Sequence, residues 1–233
     1  MIGEQRIVAV IPARGGSKSI PRKNLKPLAG RPLLAWSIDV ARRVPEIDRV
    51  IVSTDDAAIA EVALGQGAEV YARPPHLATD TALVIDALRD LIRRLQDEGE
   101  SADMMTLLEP TCPLRAPEDV SRCLALLAAG HDSVATFRDA DLNPHRAWQI
   151  DGNRPQPFIP GAIPWLPRQR LPRAYQLNGA VYAFCMKRLP EDAIGLLFGR
   201  TAAVLMPRER SIDIDDELDF EFIDLLLRRR VHV

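Results

Sequence analysis

The feature that most constrains this chain is the run from Ile7 to Arg31. A short apolar stretch, Ile7 to Ile11, has the length and β-branched content of a strand buried on both faces. Pro12 ends it, Gly15 and Gly16 permit backbone angles closed to other residues, and Pro21 and Pro27 keep the following segment from becoming helix. Into this loop fall Arg14, Lys18, Arg22, Lys23, Lys26 and Arg31, and no acid stands between Glu4 and Asp39. Surfaces usually mix charge signs, so a one-signed loop after a first strand points to a polyanion, and a triphosphate is the natural ligand. Glycine admits close approach of backbone N–H groups to phosphate oxygens, and a helix beginning near Pro32 turns its positive end toward the same place. The plainer alternative is a solvated basic surface. The run is neither a Walker A sequence nor a Gly-x-Gly-x-x-Gly dinucleotide turn.

Downstream, strand and helix signals alternate. Apolar positions from Leu33 to Ala41 predict a helix ending before Pro45, and Arg49 to Thr54 a strand. Asp55 or Asp56 is placed to cap a helix over 57–64, and Glu69 to Ala72 reads as a third strand. From Thr81 the spacing of Val84, Ile85, Leu88, Leu91, Ile92 and Leu95 predicts a four-turn helix with one buried face. Met104 to Leu108, a helix over 118–129 and Ser133 to Phe137 continue the rhythm. Such alternation implies right-handed crossovers and an α/β fold with a doubly wound, mostly parallel sheet.

Residues 139–177 break the pattern. Seven prolines exclude regular helix over most of the segment, while Trp148, Phe158, Trp165 and Tyr175 are costly to leave in water. The segment therefore reads as an arm that docks elsewhere, for example on a second copy of the chain, rather than as a disordered linker. Strands resume at Asn178 to Phe184 and Ala202 to Leu205, and a last helix spans 218–227. The division is thus 1–138 with 178–233 as one domain and 139–177 as an insertion.

Near the end, Ser211-Ile212-Asp213-Ile214-Asp215-Asp216 alternates apolar and acidic residues. In extended conformation Asp213 and Asp215 share one face, with Cα atoms about 7 Å apart. Two such carboxylates suit a hard cation that takes its remaining ligands from phosphate and water, so Mg2+ is the expected cofactor. The alternative is that Asp215 and Asp216 only cap the final helix, which leaves Asp213 unexplained. A formal net charge of −2 argues against nucleic acid as the main partner. The scattered Cys112, Cys123 and Cys185 fit reduced thiols. No apolar run approaches the length of a membrane span and the first residues lack a signal-peptide pattern, so a cytoplasmic enzyme with no membrane partner is expected.

Ile-Pro-Ala-Arg-Gly-Gly-Ser-Lys followed by Ile-Pro-Arg-Lys-Asn closely resembles the signature of the CMP-sialic acid synthetases, the acylneuraminate cytidylyltransferases. The resemblance implies a Rossmann-like nucleotidyltransferase fold, CTP and an acidic 2-keto sugar as substrates, and a homodimer whose proline-rich arm reaches the neighbour's active site. It assigns Arg14, Gly15, Ser17, Lys18, Lys23, Asn24, Asp55 and Arg73 to the nucleotide. Lys23 and Arg14 would neutralise phosphate charge, and Asp213 and Asp215 would hold the metal, with Asp215 also catalytic. Asp80 and Thr81, in Leu-Ala-Thr-Asp-Thr, are placed with the sugar, together with Glu109, Arg146, Arg168 and Asn178. Asp80 and Thr81 also make an ordinary helix start. Glu109 departs from the family's usual glutamine, and a carboxylate there would repel an acidic sugar unless protonated or paired, for example with Arg115. A different acceptor (a Kdo-type, pseudaminate, legionaminate or phosphonate) and a non-catalytic nucleotide-binding regulator remain as alternatives.

Overall fold

The computed structural model describes residue 2, residues 5–100 and residues 102–231. Its strands are β1 (Ile7–Pro12), β2 (Pro27–Leu28), β3 (Arg31–Pro32), β4 (Arg49–Thr54), β5 (Glu69–Ala72), β6 (Met104–Leu107), β7 (Ser133–Asp139), β8 (Trp148–Asp151), β9 (Arg154–Pro157), β10 (Tyr175–Cys185) and β11 (Thr201–Leu205). The α-helices are α1 (Leu33–Arg43), α2 (Ala57–Gly65), α3 (Val84–Asp97), α4 (Pro117–Ala128) and α5 (Glu217–Val231).

Seven strands form the central sheet in the order β11-β7-β10-β6-β1-β4-β5. β1 runs parallel to both β4 and β6, β4 to β5, and β7 to β11, while β10 alone is antiparallel to its neighbours β6 and β7. The period-2 alternation of β1 explains the layering. Ile7, Ala9 and Ile11 face one way and pack with Leu34 and Ile38 of α1, Ile59 of α2, and Val120 and Leu124 of α4. Val8 and Val10 face the other way and meet Leu88, Leu91, Ile92 and Leu95 of α3. Both faces of β1 are therefore dry, as its unbroken apolar run requires. A third cluster packs Ile223 and Leu227 of α5 against Ile20 and Leu28, fixing the first loop to the last helix.

The predicted elements are present, with shifted edges. α3 begins at Val84 rather than Thr81, because the Asp80 carboxylate is engaged by Arg14 and Lys18 instead of capping a helix. The insertion leaves the sheet after Asp139 and returns at Tyr175, and these two residues are register partners in the β7/β10 ladder. Between them a small β8/β9 hairpin and short turns project from the sheet, with Trp148 and Trp165 in an edge-on contact. Trp165 is 83% exposed and Phe158 61% exposed.

One buried ion pair braces the approach to the acidic segment. Asp119, with no solvent exposure, accepts two hydrogen bonds from the Arg210 guanidinium at 2.9 and 2.8 Å and a third from the backbone N–H of Ala116 at 3.0 Å. Asp119→Ala leaves the partly exposed guanidinium and the Ala116 N–H without their partner and is expected to lower unfolding free energy by about 2 kcal/mol. Arg93→Ala, at an exposed pair with Asp90, should cost under about 0.5 kcal/mol. Urea titrations of the two variants check both values.

Candidate active site

Because β1, β4, β5 and β6 run parallel, their C-terminal ends release four chain segments at one edge of the sheet, where ligands of open α/β folds bind. The loop after β1 is held there by its neighbours. The Gly15 N–H donates to Asp55 Oδ1 at 2.9 Å, and Asn24 Nδ2 donates to the Arg14 carbonyl at 3.1 Å. A Cβ on Gly15 would stand 2.8 Å from Asp56 Oδ2, so only glycine fits that approach. The two aspartates divide their work: Asp55 holds the loop, while Asp56 caps α2 by accepting from the N–H groups of Ala58 and Ile59. Arg22, at φ 52°, sits in the left-handed region just before Lys23.

Arg14, Ser17, Lys18, Lys23 and Asn24 line a cleft of about 430 Å3 together with Arg73, Glu109 and Thr111. Arg73 is buried and donates to Ser53 Oγ at 3.0 Å and to the Ser53 carbonyl at 2.9 Å. Burial lowers its pKa, and Asp55 partly offsets this. Asp80 lies at the cleft's rim, bonded to Arg14 and Lys18, and the hydroxyls of Thr79 and Thr81 lie 3.5 Å apart beside it.

Glu109 is the one acid in this wall. Burial pushes its carboxyl up to about 7, and repulsion from Asp213 adds to the shift. The expected pairing with Arg115 takes a different form. The Arg115 guanidinium donates to the carbonyls of Glu109 and Ala180 and to Ser37 Oγ, not to the Glu109 carboxylate. It thereby sets the backbone after β6 and tempers the charge on Glu109 only through space.

The acidic segment arrives from the far end of the chain. Lys23 Nζ donates to the Ile214 carbonyl at 2.9 Å, the Ile214 N–H donates to the Thr111 carbonyl at 2.9 Å, and Lys26 pairs with Glu217. Ile214 is fully buried. Asp216 caps α5 by accepting from the Asp219 N–H, a duty that leaves the carboxylates of Asp213 and Asp215 unspent on the helix. Burial and the neighbouring Asp213 raise the pKa of Asp215. These hard oxygens and their mutual repulsion fit a divalent cation. Among the described residues no group of three or more His, Cys, Asp or Glu forms a metal cage, so such an ion would complete its shell with substrate oxygens and water.

Asp213 and Asp215 line a neighbouring cavity of about 790 Å3, with Arg138, Arg208 and Phe222 in its walls. Among the described residues none lines both spaces; they are linked by Lys23 in the cleft wall, whose amine holds the Ile214 carbonyl between Asp213 and Asp215 at a junction of loop and acidic segment. Arg146 and Arg168 are not brought to this junction. They line a third cavity of about 400 Å3 at the base of the insertion, where Arg146 donates to the Leu166 carbonyl. Asn178 is buried, its carboxamide bonded to Thr136, Ala180, Ser211 and Met206. Through Ser211 it steadies the acidic segment. Ser53, Thr111 and Ser211 carry no sequence signal for these positioning roles, because each acts through long-range contacts.

Residues 8–141 match the family model described as cytidylyltransferase. The chain is 34% identical over 225 residues to the CMP-N,N'-diacetyllegionaminic acid synthase of Legionella pneumophila, covering 95% of this chain and 96% of the relative. It is 31% identical over 216 residues to an N-acylneuraminate cytidylyltransferase of Streptococcus agalactiae, covering 91% of this chain and 51% of that longer protein. A solved structure of CMP:2-keto-3-deoxy-manno-octonic acid synthetase complexed with CTP is similar in fold, with TM-score 0.70 at 20% identity over 97% of this chain and 100% of that one.

Glu109 supplies a pH test of the site's electrostatics. Its folded pKa of about 7 lies above the ordinary 4.5, so the folded state holds the proton more tightly than the unfolded state does. Relative to Glu109→Gln, the native protein should lose stability as pH rises from about 4.5 to 7, with the deficit then levelling at roughly 3 kcal/mol. Thermal melts of the two proteins in chelator at pH 5 and pH 8 check this: the variant's advantage should be small at pH 5 and full at pH 8.

Proposed function

Because the chain belongs to the cytidylyltransferase family, we propose that it transfers CMP from CTP to the anomeric hydroxyl of a nonulosonic acid, a sialic acid-like 2-keto sugar acid, and releases pyrophosphate. Kinship to a CMP-legionaminate synthase and to an N-acylneuraminate cytidylyltransferase supports this acceptor class. The observation that carries the reading is the Lys23–Ile214 hydrogen bond, which joins a cation-lined cleft to a pair of carboxylates, Asp213 and Asp215; among the described residues Asp213 accepts only a long thiol hydrogen bond from Cys112 at 3.6 Å.

In the proposed mechanism the sugar hydroxyl oxygen bonds to the α-phosphorus as the bond to the β-phosphate oxygen breaks. Arg14, Ser17 and Lys18 hold the leaving pyrophosphate, and Lys23 neutralises charge as it shifts between phosphates. Asp213 and Asp215 would hold Mg2+, which would supply Lewis-acid stabilisation of the charge on phosphate oxygens. The Asp215 carboxylate is assigned the hydroxyl proton. Rate enhancement comes from positioning and charge, with no covalent enzyme intermediate. Glu109 and Thr81 border the acceptor side, Asp80 stands between it and the phosphate-holding cations, and Asn178 orients the acidic segment. Arg146 and Arg168 are assigned to an acidic sugar bound across a homodimer, a reading supported by the exposed Trp148, Phe158 and Trp165 of the insertion. Among the described residues no helix is long and apolar enough to cross a membrane, and the enzyme is proposed to act in the cytoplasm.

Pyrophosphate release is the test. CTP with N-acetylneuraminate, diacetyllegionaminate, pseudaminate and Kdo should give product with at least one nonulosonic acid, and ATP, GTP and UTP should not replace CTP. CTP binding without turnover of any acceptor would mark a nucleotide-binding regulator instead. Lys23→Ala should lower kcat roughly 100-fold with a smaller change in KM. Asp215→Ala should abolish magnesium-dependent turnover while leaving the melting temperature within a few degrees of wild type.

A further inference from the structure

We propose that Asp80 is an internal substitute for phosphate, occupying the cleft's cations until a triphosphate displaces it. The inference rests on reading the first loop as a triphosphate site. Asp80 Oδ1 lies 3.0 Å from Arg14 Nη1 and its Oδ2 lies 2.8 Å from Lys18 Nζ, so one carboxylate bridges two cations as two phosphate oxygens would. Arg14 also donates to the Thr79 carbonyl at 3.0 Å, giving the same guanidinium a second hold on this segment. The remaining cleft cations are differently engaged: Lys23 and Arg73 hydrogen-bond a carbonyl and Ser53, neutral partners, and meet carboxylates only through space. Asp80 thus cancels charge only where Arg14 and Lys18 line the cleft.

Helix capping does not account for the contact. Asp80 does not cap α3, which begins at Val84 after Leu83 with no side-chain cap. Backbone hydrogen bonds of residues 78–83 run only to near neighbours, Ala78 to Pro75 and Ala82 to Thr79, with Asp86 bonding back to Leu83. Arg14 on the Thr79 carbonyl ties this turn to the loop independently of the Asp80 carboxylate, so the carboxylate can leave the cations without releasing the segment. Lys18 is 78% exposed and Asp80 47% exposed, so the pairs lie in a high-dielectric setting and exchange readily for a more highly charged ligand.

Isothermal titration in magnesium-free buffer, with CTP and with inorganic tripolyphosphate as probes, decides the matter. Asp80→Asn should bind both about three- to tenfold more tightly than wild type, the range expected for releasing two exposed ion pairs. Its affinity should also fall more steeply with added salt, because binding then forms new ion pairs rather than exchanging old ones. Asp80→Glu, which keeps the charge, should stay near wild type. Unchanged or weaker binding by Asp80→Asn would overturn the proposal and make Asp80 an organiser of the cations. Tripolyphosphate binding without CTP binding in the wild type would sink the cytidylyltransferase reading and leave this one to be judged on tripolyphosphate. No tripolyphosphate binding by either protein would overturn this one.

Discussion

A lysine amine on a backbone carbonyl, Lys23 to Ile214, makes a site out of the two ends of this chain. It marks the seam along which the cationic loop and the acidic segment meet. The bond is cheap for the lysine, since a carbonyl satisfies one donor and leaves the positive charge intact. It is framed by burial of Ile214, by the Thr111 carbonyl and by the Lys26–Glu217 pair, so the seam has several independent fastenings. The acidic segment is fastened again upstream, through Ser211 to Asn178 and through Arg210 to Asp119. What results is an irregular segment fastened through its backbone, with the carboxylates of Asp213 and Asp215 not spent on the helix cap.

The same economy governs the other charges. Arg115 is buried and spent on carbonyls and a hydroxyl, which shapes the backbone after β6 without neutralising Glu109. Glu109 is left to respond to its surroundings, and burial beside Asp213 brings it to the edge of protonation at neutral pH. A family member with the usual glutamine would have no such sensitivity. At this position the chain presents a group whose charge depends on what occupies the adjoining space.

Much of the scaffold was legible from local pattern. The apolar run of β1, the helical spacing of α3 and the glycine-rich cationic loop each state their own conformation, because their burial and backbone demands are met within a few residues. Strand order was less accessible: nothing between Tyr175 and Cys185 announces that this strand inserts antiparallel between β6 and β7. Site residues divided along the same line. Arg14, Lys18 and Lys23 stand out in loop composition, which is local, and Asn24 in the family resemblance; the fold brings all four to one cleft. The partner of Arg115 and the engagement of Asp80 depend on segments brought together only by the fold, as does the path from Asn178 through Ser211 to the acidic segment. A carboxylate before a helix looks like a cap in sequence, and only the cations across the cleft make it something else.

The insertion enters and leaves the sheet at directly paired residues, Asp139 and Tyr175. The ladder has already brought its two ends together, so added or deleted residues between them alter a closure entropy that grows only with the logarithm of length. The arm is therefore an exchangeable module. Lineages can lengthen it, trim it or replace its aromatic tip while the nucleotide machinery stays constant, and a grafted arm from a relative is a practical route to retargeting the enzyme without rebuilding its core.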